Sequence, residues 1–239
     1  MRDTKADIQD WNRAAGNYSQ TITGTSEDRI YQQYRDVLWS SLGNLAGLNV
    51  LDAGCGHGWL SKLMHEAGAN VWGIDGAIEL LRIARQNCPT VEFAEWDLLN
   101  GLPDAERQYD RIVAYMVLMD IPDINNMLQG VRKKIKKNGK FIFTITHPSF
   151  FNFKSRQDET TGQMYCGVTN YLQPAEWRLD NFGGHRHYHR SLTYYVDCLR
   201  NNHLAVTRLY EPPQIPFATE NVEFHRNIPK FMLIESVPV

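Results

Sequence analysis

The stretch Val50–Gly58, VLDAGCGHG, constrains this chain more than any other. A short apolar run reaches Asp52, glycines follow at 54, 56 and 58, and Trp59-Leu60-Ser61-Lys62-Leu63-Met64 reads as the start of a helix. The pattern is a strand, a glycine-rich turn and a helix N-terminus. Glycine lets the backbone turn sharply there and approach a ligand closely, because no Cβ stands in the way. An acidic side chain just before such a turn suits a positive or hydrogen-bond-donating part of that ligand.

Around this stretch, apolar strands alternate with helices. Strands are expected over 48–53, 70–75, 90–95, 109–115, 139–146, 204–210 and 230–236, and helices over 58–68, 77–87, 123–137 and 191–202. Such alternation indicates a mostly parallel sheet with helices on both faces. Ligands in these sheets bind at the carboxyl ends of the strands. Asp52, Asp75, Asp97, Tyr115 and His147 sit at or just past strand ends, which points them at one crevice. Two helices precede the first strand, over 4–20 and from near Glu27 to Gly43. Their aromatic residues Trp11, Tyr18, Tyr31 and Tyr34 fit either a cap over the crevice or plain cover for the sheet. Residues 148–190, rich in aromatic residues, Gly, Asn and charge, read as an insertion of loop and short strands over the crevice.

Composition removes several function classes. The 239 residues suffice for one large α/β domain or two small ones. A net charge of −2 gives no general pull toward nucleic acid or an acidic membrane. The basic run Arg132–Lys137 lacks interleaved aromatic residues and reads as the solvated last turn of a helix. Cys55, Cys88, Cys166 and Cys198 lie far apart without a CxxC pair, so reduced thiols are expected and a structural zinc site is not. The start MRDTKADIQDWN carries no apolar signal region, and no apolar run reaches about 18 residues. A cytoplasmic protein without a membrane span, a metal or a nucleic-acid partner is the expectation.

Two ligand classes compete for the glycine turn. A dinucleotide needs G-x-G-x-x-G with its pyrophosphate at the helix N-terminus. Here the spacing is GxGxG, and the charge of Asp52 would repel a pyrophosphate. A ligand with a cationic end and no phosphate fits better. VLDAGCGHG resembles the first motif of the Rossmann-like S-adenosylmethionine (SAM)-dependent methyltransferases, an acidic and a small residue followed by GxGxG. Asp75 in WGIDGA matches the family's ribose-binding acid, with Gly76 beside it. Asp97 in EWDLL matches the adenine-binding acid, with Leu98 against the ring, and IVAYMVLMDIPD (112–123) resembles the segment lining the methionine end. Met119-Asp120 stand where many relatives carry two histidines.

The resemblance extends over most of the chain and implies a Rossmann-like three-layer α/β/α sandwich. It implies a seven-stranded, mostly parallel sheet whose antiparallel last strand lies between strands five and six. Residues 1–45 would form an N-terminal helical cap, and 46–239 the SAM-binding domain, with 148–190 as its acceptor-site insertion. WNRAAGNY (11–18) looks like the helix that small-molecule methyltransferases fold over the cofactor. The implied cofactor-binding residues are Tyr18, Asp52, Gly54, Cys55, Gly56, Gly58, Asp75, Gly76, Asp97, Leu98, Tyr115 and Met116. The implied reaction moves the SAM methyl group to an O, N or C atom of a small acceptor by in-line displacement. An RNA or protein methyltransferase, and a non-catalytic or NAD-binding module of the same fold, stand as alternatives. A base is needed only where the acceptor must lose a proton. His147 is the best placed, ahead of Asp120, His185, His187, His189 and Glu211. Aromatic residues including Trp11, Tyr18, Phe150, Phe151, Trp177 and Tyr188 would suit a planar or apolar acceptor.

Overall fold

The computed structural model describes residues 4–25, 28–103, 106–151, 154–215 and 221–239. Glu27, the expected start of the second helix, lies outside the described residues. In chain order the elements begin with α1 (Lys5–Thr21), α2 (Arg29–Leu42), β1 (Asn49–Ala53), α3 (Trp59–Glu66), β2 (Asn70–Asp75) and α4 (Ile78–Asn87). They continue with β3 (Glu92–Glu95), β4 (Tyr109–Tyr115), α5 (Asn125–Lys134) and β5 (Ile135–Thr146). Two short hairpins follow, β6 (Lys154–Gln157) with β7 (Met164–Gly167), and β8 (Ala175–Leu179) with β9 (His185–His189). The chain closes with α6 (Leu192–Asn201), β10 (Leu204–Tyr210), α7 (Val222–Arg226) and β11 (Phe231–Pro238).

Seven strands form one sheet in the order β10-β11-β5-β4-β1-β2-β3. β1 to β5 run parallel, and β11 is antiparallel to both β5 and β10. The last strand therefore lies between the fifth and sixth strands of the sheet, as the family resemblance implied.

Side chains alternate between the two faces of a strand, and the two cores follow that alternation. On one face Leu51, Ile74, Ile112, Phe143 and Ile234 pack with Leu128 and Val131 of α5 and Leu199 of α6. On the other, Val50, Val71, Val113, Ile142 and Leu233 pack with Tyr34 and Leu38 of α2, Leu60 and Met64 of α3, and Leu81 of α4. The result is a three-layer α/β/α sandwich. Local chemistry sets the helix starts. The Asp28 carboxylate accepts from the amides of Ile30 and Tyr31 ahead of α2, and the Ser191 hydroxyl accepts from the Tyr194 amide ahead of α6.

Two features differ from the expectation. The two N-terminal helices separate in role: α2 is an ordinary layer of the sandwich, while α1 packs on α4 and on β9 at the carboxyl end of the sheet. β5 begins at Ile135, so the basic run is divided between the end of α5 and the start of the strand. Ile135 pairs with Tyr109, and Lys136 reaches the Asp110 carboxylate at 2.7 Å, contacts that outweigh another helical turn. The short strands expected in the insertion are present as the two hairpins between Lys154 and His189, and β9 packs on α1 and on the turn after β4.

Candidate active site

A cleft of about 700 Å³ opens over the carboxyl ends of β1, β2, β3 and β4, and α1 forms its outer wall. Two glycines explain how the turn after β1 forms its floor. Gly54 has φ +78°, and a Cβ there would lie 2.3 Å from Cγ2 of Val117. Gly58, at the start of α3, has φ +80°, and a Cβ would meet Ala84 and Phe93 at 2.9 and 3.1 Å. The first glycine thus clears space beside the cleft, and the second lets α3 pack on α4 and β3.

Of the residues assigned to the cofactor, Tyr18, Gly54, Gly56, Asp75, Gly76, Asp97, Leu98, Tyr115 and Met116 line this cleft. Asp75 ends β2. Its Oδ2 accepts from the Gly56 amide at 2.9 Å and its Oδ1 from the Ala77 amide at 2.8 Å. Burial pushes this carboxyl up, and the amides of Ala77, Gly56 and Gly76 pull it back. A carboxylate offers about four lone-pair sites, more than these amides occupy, so acceptor capacity remains for a ligand hydroxyl. Asp97 accepts from the Leu99 amide at 2.9 Å and from the hydroxyl of Thr4, which ties the start of α1 to the end of β3.

Asp52, Cys55 and Gly58 do not line the cleft. Asp52 is 1% exposed beneath the turn, and its Oδ2 accepts from the Ser61 hydroxyl at 2.5 Å. Burial pushes its carboxyl up to about 7, partly offset by the Ser61 bond. It anchors α3 to β1 from beneath the turn. Cys55 is buried in the second core, and burial holds its thiol well above the usual range.

His147 also falls outside the cleft. Its Nε2 meets Oε1 of Glu211 at 2.7 Å, its Nδ1 accepts from the Ser149 amide at 3.1 Å, and the ring stacks on Phe150. Both nitrogens are occupied, so His147 holds the turn after β5 and has no free lone pair for a substrate proton. The strand-end position located it correctly, but its partner Glu211 lies 64 residues away.

A second cavity of about 580 Å³ adjoins the first, and Trp11, Tyr18, Tyr115, Met116 and Asp120 line both. Phe151, Phe182, His185, His187, Thr146 and Phe231 complete much of its wall. Burial, the chief cause in each case, pushes His185 down to about 4 and His187 down to about 3, so both rings are neutral at pH 7. Burial pushes the Asp120 carboxyl well up, with Arg190 opposing. His187 and His189 share one strand face as expected, but Trp177 stacks on both rings, with centroids 5.2 and 5.8 Å away. No group of three metal-ligating side chains occurs among the described residues.

The position of Asp120 follows from the backbone. Met116 takes φ +56° and its amide donates to Thr144, which turns the chain sharply at the end of β4. Such conformations in a non-glycine residue cluster at functional sites. Arg190, 6% exposed, donates to the carbonyls of Leu118 and Ile121 and fixes this turn from behind.

Sequence reasoning missed Arg190, and it missed how α1 is held. Asp7 and Asp10 of α1 are 6% and 3% exposed. Asp7 accepts from the Tyr188 hydroxyl at 2.6 Å and pairs with Arg186 at 3.3 Å. Asp10 pairs with Arg178 at 2.6 Å and with Arg13. The hairpin β8–β9 therefore latches the helix over the cleft. Two carboxylates one helical turn apart on the face that also carries Trp11 were the available signal.

A family model described as a methyltransferase domain matches residues 27–209, and the chain belongs to that family. Among curated relatives, it is 30% identical over 145 residues to a demethylmenaquinone methyltransferase of Tropheryma whipplei (strain Twist), covering 59% of each chain. It is 35% identical over 117 residues to a ubiquinone biosynthesis O-methyltransferase of Bordetella avium (strain 197N), covering 46% of this chain and 48% of that one. The chain thus spans roughly half to three-fifths of these relatives. The fold is shared with an S-adenosylmethionine-dependent methyltransferase from Mesorhizobium loti, with a TM-score of 0.73, 22% identity and coverage of 86% and 97% of the two chains. It is also shared with a magnesium protoporphyrin IX methyltransferase from Synechocystis, with a TM-score of 0.62, 17% identity and coverage of 100% and 99%.

Proposed function

We propose that this protein is a SAM-dependent methyltransferase acting on a small molecule, with the cleft over β1–β4 holding the cofactor and the adjoining cavity holding the acceptor. The observation that carries the reading is the set of acidic strand ends lining one cleft with the glycine turn as its floor. Asp75 would take the ribose hydroxyls on its remaining acceptor capacity, and Asp97 and Leu98 the adenine. Because β4 lies on the far side of β1 and β2 from β3, Tyr115, Met116 and Asp120 would hold the methionine end, with Tyr18 from α1. When bound, the cofactor supplies an electrophilic methyl group on a sulfonium that leaves as a neutral thioether.

The chain's own contribution is position and dryness. The residues common to both cavities set where donor and acceptor meet, and α1 with β8–β9 covers that junction. Orientation of this kind lowers a displacement barrier by several kcal/mol, roughly 7–11 at the upper end. Neutral His185 and His187 among Trp11, Phe151, Phe182 and Phe231 suit an uncharged planar or apolar acceptor. The relatives named for quinone pathways support an acceptor of small-molecule size. Among the described residues no helix is long and apolar enough to cross a membrane. All four cysteines are free, which suits a reducing, cytoplasmic setting.

Calorimetric titration tests this reading. S-adenosylhomocysteine should bind one site per chain in the micromolar range, and NAD should release no heat. Silence toward S-adenosylhomocysteine, or saturable binding of NAD, would sink the proposal.

A further inference from the structure

Among the described residues, four buried polar atoms lining the second cavity have no hydrogen-bond partner: the Tyr115 hydroxyl, Nδ1 of His185, Oδ1 of Asp120 and Nδ1 of His187, and the last two form a pair. They face each other at 3.9 Å, too far for a hydrogen bond between them. The side chains are 10% and 5% exposed, so bulk water does not satisfy either atom. Orphaned groups of this kind cost about as much as a lost hydrogen bond unless a ligand or ordered water completes them.

The gap is the right size for one oxygen. An atom about 2.8 Å from each, the usual O–H···O distance, subtends an angle close to a right angle between them. A hydroxyl meets both needs at once, because it has one donor and two acceptor lone pairs. We propose that Asp120 and His187 together bind one hydroxyl of the acceptor, which is therefore a planar hydroxylated molecule, of phenol or enol type. This deepens the acceptor-site reading above and rests on it.

Oγ1 of Thr146 lies 3.3 Å from Nε2 of His187. With Thr146 donating there, Nδ1 carries the ring hydrogen and donates to the hydroxyl oxygen, while the hydroxyl donates to Oδ1 of Asp120. Phe151 and Trp177 both stack on His187, at 5.3 and 5.2 Å between centroids, and hold the ring in this plane. Arg190 holds the carbonyls of Leu118 and Ile121 around Asp120. Asp120 lines both cavities, so the bound hydroxyl oxygen sits where acceptor and donor meet. That placement makes oxygen, rather than nitrogen or carbon, the acceptor atom: its O–C bond would form as the C–S bond of the sulfonium breaks to leave a neutral thioether, and the hydroxyl proton would pass to Oδ1 of Asp120.

The probe pair is 4-nitrocatechol, whose absorbance reports its binding, and its dimethyl ether, which keeps the ring and loses both hydroxyls. Each is titrated into the full chain with and without S-adenosylhomocysteine. Wild type should bind the catechol at least about tenfold tighter than the ether. His187→Phe keeps a flat aromatic ring without the ring nitrogens and should bring the ratio to near one, while retaining S-adenosylhomocysteine binding because His187 lines only the acceptor cavity. Asp120→Leu should do the same to the ratio, and circular dichroism checks its folding. If Asp120→Leu fails to fold, His187→Phe alone decides. No saturable catechol binding to wild type, equal binding of catechol and ether, or an unchanged ratio in His187→Phe would overturn the proposal. A catechol preference without S-adenosylhomocysteine binding would instead keep the hydroxyl site and overturn the cofactor reading.

Discussion

The carboxylate of Asp75 accepts a hydrogen bond from the amide of Gly56 at 2.9 Å, joining the end of β2 to the glycine turn after β1. One side chain thus shapes the turn and presents its remaining acceptor capacity to the cleft. Asp75→Ala should remove both at once. Hydrogen bonds to a charged group are worth about 1.5–3 kcal/mol each, so affinity for S-adenosylhomocysteine should fall at least about 100-fold. Asp75→Asn, which keeps one acceptor, should lose less. Calorimetry on variants with wild-type circular dichroism checks both, and an Asp75→Ala variant that binds normally would remove this residue from the site.

Asp52 gives a prediction for stability against pH. Its folded value is about 7 and its unfolded value close to 3.9. Between these the folded state holds the proton and the unfolded state has lost it, so the contribution of Asp52 to stability falls as pH rises from about 4 to about 7. It is flat above that window. His57, pushed down to about 4 mainly by burial, slopes the opposite way, as do His185 and His187. Only a difference therefore isolates Asp52. The unfolding free energy of wild type minus that of Asp52→Asn should decline by about 3 kcal/mol across the window. A difference that rises with pH would mean that the fold selects the carboxylate.

The latch on α1 is separable from the floor of the cleft. Asp7→Ala leaves the Tyr188 hydroxyl and Arg186 without this partner, a loss of about 1–3 kcal/mol. The sheet and its two cores do not depend on that contact. The variant should keep the cooperative unfolding of the sandwich. Hydrogen exchange over residues 5–21 should speed up by about tenfold or more, and S-adenosylhomocysteine should bind more weakly. Unchanged exchange in α1 would show that Thr4, Trp11 and Tyr18 hold the helix without the latch.

The sheet was legible because its signals are local. The apolar runs of β1, β2, β4 and β5 alternate with helices, and acidic residues mark strand ends such as Asp75 and Asp97. Position along a strand does not reveal which partner a side chain meets. Asp52 stands one residue before the end of β1, yet it turns to Ser61, nine residues on. His147 stands just past β5, yet Glu211 and the Ser149 amide occupy its ring. The burial of Asp7 and Asp10 depends on Arg186 and Arg178, which follow more than 160 residues later on a hairpin with weak periodicity. Ionic contacts at that separation leave no local pattern. Arg190, with neither periodicity nor motif around it, belongs to the same class.

Hydrogen exchange measured with and without saturating S-adenosylhomocysteine tests the central claim most directly, because it reports where the ligand sits as well as that it binds. Protection should appear in residues 54–58, 75–77 and 97–99, in the turn 116–121, and across α1, while β6, β7 and α6 stay unchanged. Binding without protection of the glycine turn and the Asp75 segment, or protection centred elsewhere in the chain, would contradict the account.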